Sequence, residues 1–246
     1  MVKQSKIGVS QIRGLNTLLN DFQTTFVART PDSGNIEQHQ QLLAEFGRMQ
    51  AVWKKEQVLV AENFNLLRIL RLTRNELCHS DILAWLLDHR LEVGTHAQGN
   101  CGFRLFLQRL DLPLKYADAD YRVVREASGQ EARLDILIEA DRQFIIGIEN
   151  KVDSEEGEDQ TSREWADLER RGKELQVPKA NKIEAFFLTP DEIEPRSRRF
   201  KAISWRLIAD VFEAFAEKAK PPMVKLFAQH YAETLRHHVA PETTEE

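Results

Sequence analysis

The chain has 246 residues, of which 42% are hydrophobic and 30% charged, and its formal net charge is −5. This balance fits one large soluble domain, or a core domain with a helical extension, and excludes a chain dominated by low-complexity sequence. No apolar run reaches membrane-spanning length, and a net negative chain has no global attraction for nucleic acid, so any such binding needs a local basic surface. The start, MVKQSKIGVSQIRGL, lacks the apolar segment of a signal peptide, so the expected location is cytoplasmic. Cys78 and Cys101 make no disulfide framework and are expected to be reduced, buried thiols.

In chain order, Ile12, Leu15, Leu19, Phe22 and Phe26 recur at spacings of three and four, which predicts one amphipathic helix. A turn at Pro31–Asn35 follows, then a second stripe of Leu42, Phe46, Met49, Trp53, Val60, Phe64 and Leu67. If unbroken, that second helix runs from about Ile36 to Arg71 and is roughly 50 Å long. The two stripes are expected to pair as antiparallel helices. A further helix begins near Asn75 and carries Ile82, Leu83, Leu86 and Leu87. Another covers Phe103–Leu110, and Tyr121–Ala127 is a short strand. Ser154 is expected to cap a charged helix, with Glu155 and Glu156 in its first turn, that ends near Arg171. Ile183–Leu188 is a fourth strand, the segment from Glu192 to Lys201 a basic loop, and Ala202–Ser204 a short fifth strand. Two helices close the chain, one with Ile208, Val211, Phe212 and Phe215, the other opened by Pro221 and Pro222.

Between the first predicted strand and the Ser154 helix lies RLDILIEADRQFIIGIENK, Arg133 to Lys151. It reads as a hairpin of two strands, Arg133–Ala140 and Phe144–Lys151, joined by Asp141, Arg142 and Gln143. Strand alternation sets Arg133, Asp135 and Leu137 on one face and Leu134, Ile136 and Ile138 on the other, while Ile145, Gly147, Glu149 and Lys151 share a face. Most of both faces is apolar, which suggests a sheet covered on both sides. Such a sheet keeps Asp135, Glu149 and Lys151 only for a use, because buried carboxylates must be paired or must hold a metal. From the residues alone, a structural ion-pair cluster and a metal site both stay open.

An acid on one strand followed by Glu-x-Lys at the end of the next resembles the signature of the PD-(D/E)XK nucleases. The likeness extends from Phe64 to about Val239, through FNLLRIL, Glu76, His79-Ser80 before ILAWLLDH, RLDILIE and IIGIENK, and it resembles a bacterial branch of that superfamily. Two positions depart from the pattern: Leu134 stands where the name has proline, and Glu164, followed by Trp165, stands where an aromatic is expected four residues after Gln160.

The resemblance implies an α/β fold, a restriction-endonuclease-like mixed sheet flanked by helices with an N-terminal helical pair. The expected division is a helical hairpin over 1–72 packed on the core, a nuclease-like core over 73–239 and a disordered tail over 240–246. It further implies Mg²⁺, with Mn²⁺ able to substitute, held by Asp135, Glu149 and the backbone carbonyl of Asn150, with Glu76 ligating directly or through water. Lys151 would orient the attacking water or stabilise charge in the transition state, and Gln160 would lie near the scissile phosphate. The expected activity is that of a DNA endonuclease in restriction or phage defence, with RNA an open alternative. Arg163, Arg196, Arg198 and Arg199 are candidate phosphate contacts, against the plainer reading of a solvated basic surface. A catalytically silent nucleic-acid-binding or scaffolding protein on the same fold is the alternative, and a homodimer through the Leu42–Leu67 stripe is left open.

Overall fold

The computed structural model describes residues 44–52, 55, 64–90, 95–178 and 182–241, in two compact units divided between Phe64 and Asn65. In the first unit, residues 44–52 and 55 are helical; the first expected helix and the rest of the second before Phe64, including residues 56–63, lie outside the described residues. The second predicted stripe does not continue as one helix to Arg71. Asn65 is extended, with φ −137 and ψ 111, and its side chain accepts a hydrogen bond from Arg68 N, so it starts a separate turn, Leu66–Ile69. An asparagine at this position competes with helix propagation by capping a new one. Leu67 is buried in the core of the second unit, and Asn65 Nδ2 donates to Thr234 Oγ1 at 2.8 Å.

The second unit is built on five strands: β1 (Arg122–Ser128), β2 (Arg133–Ala140), β3 (Phe144–Asn150), β4 (Ile183–Thr189) and β5 (Lys201–Ser204). They lie side by side in chain order. β1, β2 and β3 pair antiparallel, whereas β3, β4 and β5 pair parallel. Helices α1 (Glu76–Leu87), α2 (Cys101–Arg109), α4 (Trp205–Lys218) and α5 (Pro222–Thr234) share one core with Ile136, Ile138, Phe144, Ile146, Ile148, Phe186 and Leu188. On the opposite side, Leu168 of α3 (Gln160–Glu174) packs with Leu134, Leu137, Ile145, Ala185 and Phe187. β3 is buried along its whole length. This is a sheet covered on both sides, as the apolar strands led us to expect, and the restriction-endonuclease-like mixed sheet flanked by helices that the resemblance implies.

Local caps set the helix starts. Asn75 accepts from Cys78 N at 2.8 Å to open α1, and Ser204 accepts from Arg206 N at 3.1 Å to open α4. α3, however, begins at Gln160 and not at Ser154. The backbone N–H groups of Val152, Asp153 and Ser154 and the Ser154 hydroxyl all donate to Glu76 Oε1, which holds that stretch as a turn. Glu156 then supplies the cap that Ser154 was expected to give: its Oε1 accepts from the Thr161 hydroxyl at 2.5 Å and from Thr161 N at 3.4 Å.

Three smaller expectations also change. Leu134 joins the cluster of Leu137, so simple alternation fails at Asp135 between them. Ala240, expected in a frayed tail, is 1% exposed, and its carbonyl accepts from Arg206 Nε at 3.0 Å. Residues 242–246 of that tail lie outside the described residues. Cys78 and Cys101 are free thiols but half-buried rather than buried. Among the described residues no helix is long and apolar enough to cross a membrane.

Candidate active site

The site forms where the sheet stops pairing regularly. The β1–β2 ladder passes over Glu126 and Asp135, and the β2–β3 ladder reaches no further than Ile136 opposite Ile148. One residue beyond, the same register sets Asp135 opposite Glu149. Glu126 has a positive φ of 48°, which takes β1 out of regular extension at this level. Groups that would have joined the ladder are used otherwise. Asp135 Oδ2 accepts from Asn150 N at 2.9 Å, and the Asp135 carbonyl accepts from the Arg125 guanidinium, which also reaches Asp81. This irregularity lets two acids on adjacent strands approach each other and turns Leu134 toward α3.

Glu149 is 3% exposed and lies at the centre of the cluster. Its Oε1 pairs with Lys151 Nζ at 2.9 Å and accepts from Gln160 Nε2 at 2.5 Å. Its Oε2 is buried without a hydrogen-bond partner among the described residues. Burial and the neighbouring Asp135 push the Glu149 carboxyl up to about 7, against the pull of Lys151 and Gln160. Asp135 is raised as well, first by burial, although Asn150 N–H, Arg125 and Lys151 all favour its charged form. Burial alone would depress Lys151, but Glu149, Glu76 and Asp135 together outweigh it and keep the ammonium charged.

Glu164 is the site residue that reading the sequence did not single out. It is 2% exposed, its Oε1 accepts from Gln160 Nε2 at 2.9 Å, and its Oε2 is buried without a partner among the described residues. Burial and the adjacent Glu149 carboxylate push it up to about 9. A usable signal was present: Gln160, Glu164 and Leu168 recur every four residues, and Leu168 is on the buried stripe of α3.

Behind the acids, α1 is tied to the end of β3. Asn150 Nδ2 donates to the Glu76 carbonyl and to Ser80 Oγ, each at 2.9 Å. Glu76 spends Oε1 on the turn after β3; burial raises its pKa, but the N–H groups of Val152, Ser154 and Asp153 and the Ser154 hydroxyl bring it below the usual value. His79 is buried between the Tyr231 hydroxyl, 2.7 Å from Nδ1, and the Thr73 carbonyl, 3.0 Å from Nε2. It braces α1 rather than facing the acids. The Trp205 indole donates to the Lys151 carbonyl at 3.4 Å.

The candidate phosphate contacts divide. Arg163, Arg196, Arg198 and Arg199 are exposed around the start of α3 and in the loop before β5. Backbone bonds from Arg196 N to Glu156 Oε2 and from Ser197 N to Thr161 Oγ1 dock that loop on the helix start. Arg163 donates to the Glu158 carbonyl at 2.6 Å, and Arg199 stacks over Trp165 at 5.4 Å. The other basic residues nearby are neutralised: Arg170 by Asp167, Arg171 by Glu139 and Lys201 by Glu184.

The donor set fits a hard divalent ion. Burial raises both Asp135 and Glu149, Asp135 raises Glu149 further, and one Glu149 oxygen has no hydrogen-bond partner among the described residues, an arrangement that suits two carboxylates sharing a cation. Among the described residues no three acid, histidine or cysteine side chains converge on one point. An ion there would complete its shell with backbone carbonyl, water and substrate oxygens, as Mg²⁺ commonly does.

The family model of the PD-(D/E)XK nuclease superfamily matches residues 64–233, more than half of the chain. Neither the curated proteins nor the solved structures offer a match.

Proposed function

The chain belongs to the PD-(D/E)XK nuclease superfamily, and on that footing we propose that it is a divalent-metal-dependent nuclease that hydrolyses phosphodiester bonds of DNA. The observation that carries this reading is the convergence of Asp135, Glu149 and Lys151 where β2 and β3 leave their ladder, with the ammonium 2.9 Å from Glu149 Oε1. Asp135 and Glu149 are the proposed ligands of Mg²⁺, with the Asn150 carbonyl as a third oxygen and Mn²⁺ as a substitute. When bound, the ion supplies charge neutralisation and polarisation of the phosphate and its attacking water.

The chain's own residues divide the remaining work. Lys151 carries a positive charge held in place by Glu149, and it is positioned to donate to the attacking water or to charge growing on the phosphate. Asn150 N–H orients Asp135 through Oδ2, and Gln160 orients Glu149 through Oε1. Glu76 anchors the turn that follows Lys151, and its proposed role at the ion is to ligate directly or through water. Arg163, Arg196, Arg198 and Arg199 are the proposed contacts to the phosphate backbone. Restriction or phage defence is the biological setting proposed, and this rests on the family alone.

The substrate class is tested by incubating the purified chain and Mg²⁺ with end-labelled duplex DNA, single-stranded DNA and RNA of one sequence. We expect cleavage of DNA. Cleavage confined to RNA would overturn the DNA assignment, and intact strands in every lane with either Mg²⁺ or Mn²⁺ would overturn the nuclease reading.

A further inference from the structure

The Gln160 side chain is held at both ends. Its Oε1 accepts from Gly157 N at 3.1 Å, while Nε2 is 2.5 Å from Glu149 Oε1 and 2.9 Å from Glu164 Oε1. A primary amide has two N–H hydrogens, so each carboxylate takes one and the amide plane is fixed by three partners. Glu164 itself sits one helical turn beyond Gln160 and is 2% exposed. Burying a carboxyl group is costly unless its bonds repay it, so its place beside Gln160 and Glu149 calls for a use. We propose that Glu164 is a positioning residue of the metal site, locking the Gln160 amide so that Gln160 in turn fixes the Glu149 carboxylate for the ion.

The inference deepens the metal-dependent nuclease reading and rests on it. Its physical basis is satisfaction of the amide. Without an acceptor at position 164, one hydrogen of the half-buried Gln160 amide faces the buried position 164 unpaired. The amide can relieve this by swinging away, and Glu149 Oε1 then keeps only Lys151. Glu149 then has one orienting contact fewer, its second oxygen, Oε2, having no hydrogen-bond partner among the described residues. Residues that orient metal ligands in this way commonly matter almost as much as the ligands. The aromatic expected at position 164 gives way here to a carboxyl group, and the acceptor for Gln160 comes with it.

The test is Mn²⁺ affinity by calorimetry on the full chain, for wild type, Glu164→Gln, Glu164→Leu, Gln160→Leu and the double substitution Gln160→Leu with Glu164→Leu. Melting temperatures recorded alongside identify any variant that fails to fold. We expect Glu164→Leu to weaken binding by about 10- to 100-fold. Glu164→Gln, which keeps an acceptor for Gln160, should bind like wild type. In the Gln160→Leu background, Glu164→Leu should cost nothing further, because both changes break the same linkage. Wild-type affinity in Glu164→Leu, equal weakness in Glu164→Gln, or costs that simply add would each overturn the proposal. A wild-type chain that binds no Mn²⁺ would overturn the metal-dependent reading itself and this inference with it, which separates the two failures.

Discussion

Glu149 brings together the physical demands on the site: it is buried, flanked by two further acids, and held by one lysine and one amide. Its carboxyl is pushed up to about 7 and that of Glu164 to about 9, from an ordinary 4.5. A group whose pKa is raised on folding contributes stability below its unfolded value and loses it as pH rises through the folded value. Burial holds His79, His96 and His238 below 6.5, and their opposing effect is confined to lower pH. The loss from Glu149 therefore runs from about pH 4.5 to 7 and that from Glu164 from about pH 4.5 to 9. Only above 6.5 is it unopposed by the histidines, which leaves about pH 7 to 9 as the window where Glu164 alone governs the slope. In chelator, we expect the melting temperature to fall across that window and Mn²⁺ to restore it. A flat or rising profile in chelator would contradict the strain assigned to these acids. At this scale Asp135, Glu149 and Lys151 were legible because charges stand out in apolar strands. Glu164 was less so, because its burial depends on how α3 is rotated against β3, which a sequence shows only through the four-residue stripe shared with Leu168.

At the level of elements, the turn after β3 links α1, β3 and α3. Glu76 Oε1 gathers three backbone N–H groups and the Ser154 hydroxyl, and Asn150 reaches back to the Glu76 carbonyl and Ser80. Glu76→Ala should cost about 2 kcal/mol in urea unfolding, the order expected when hydrogen bonds to a charged group are lost. Unchanged stability would mean that the turn holds without it. This tie also explains why α3 was placed too early: Ser154 followed by two glutamates has the local pattern of a helix start, but Glu76 lies 78 residues away in sequence and takes the N–H groups such a start needs free. The strands were easier to read. Their apolar runs are short and β-branched, and β3 needs no partner to be recognised as covered on both faces. The break at Asn65 also had a local cause, in an asparagine free to cap the turn that follows.

For the whole molecule, the question is how a chain of net charge −5 approaches a polyanion. Several basic residues near the site are already neutralised by Asp167, Glu139 and Glu184, which leaves the exposed guanidiniums around the start of α3 as the proposed backbone contacts. Binding should therefore be salt-sensitive. Replacing Arg196 and Arg198 together with alanine should reduce the slope of log affinity against log salt by about 2 if each contacts a duplex phosphate. An unaltered slope would move the interface elsewhere. The two covered faces followed from the apolar strands and the mixed sheet from the resemblance, whereas the opening between β2 and β3 came from a local interruption of pairing at Asp135 that no alternation rule contains.

The most direct measurement is cleavage of plasmid DNA with Mg²⁺, Mn²⁺ or EDTA by wild type, Asp135→Ala and Lys151→Ala prepared in parallel. We expect wild type to cut with either ion, EDTA to stop it, and both substitutions to abolish cutting while the melting temperature shows a folded chain. Cutting that survives either substitution would contradict the assignment of catalysis to this cluster.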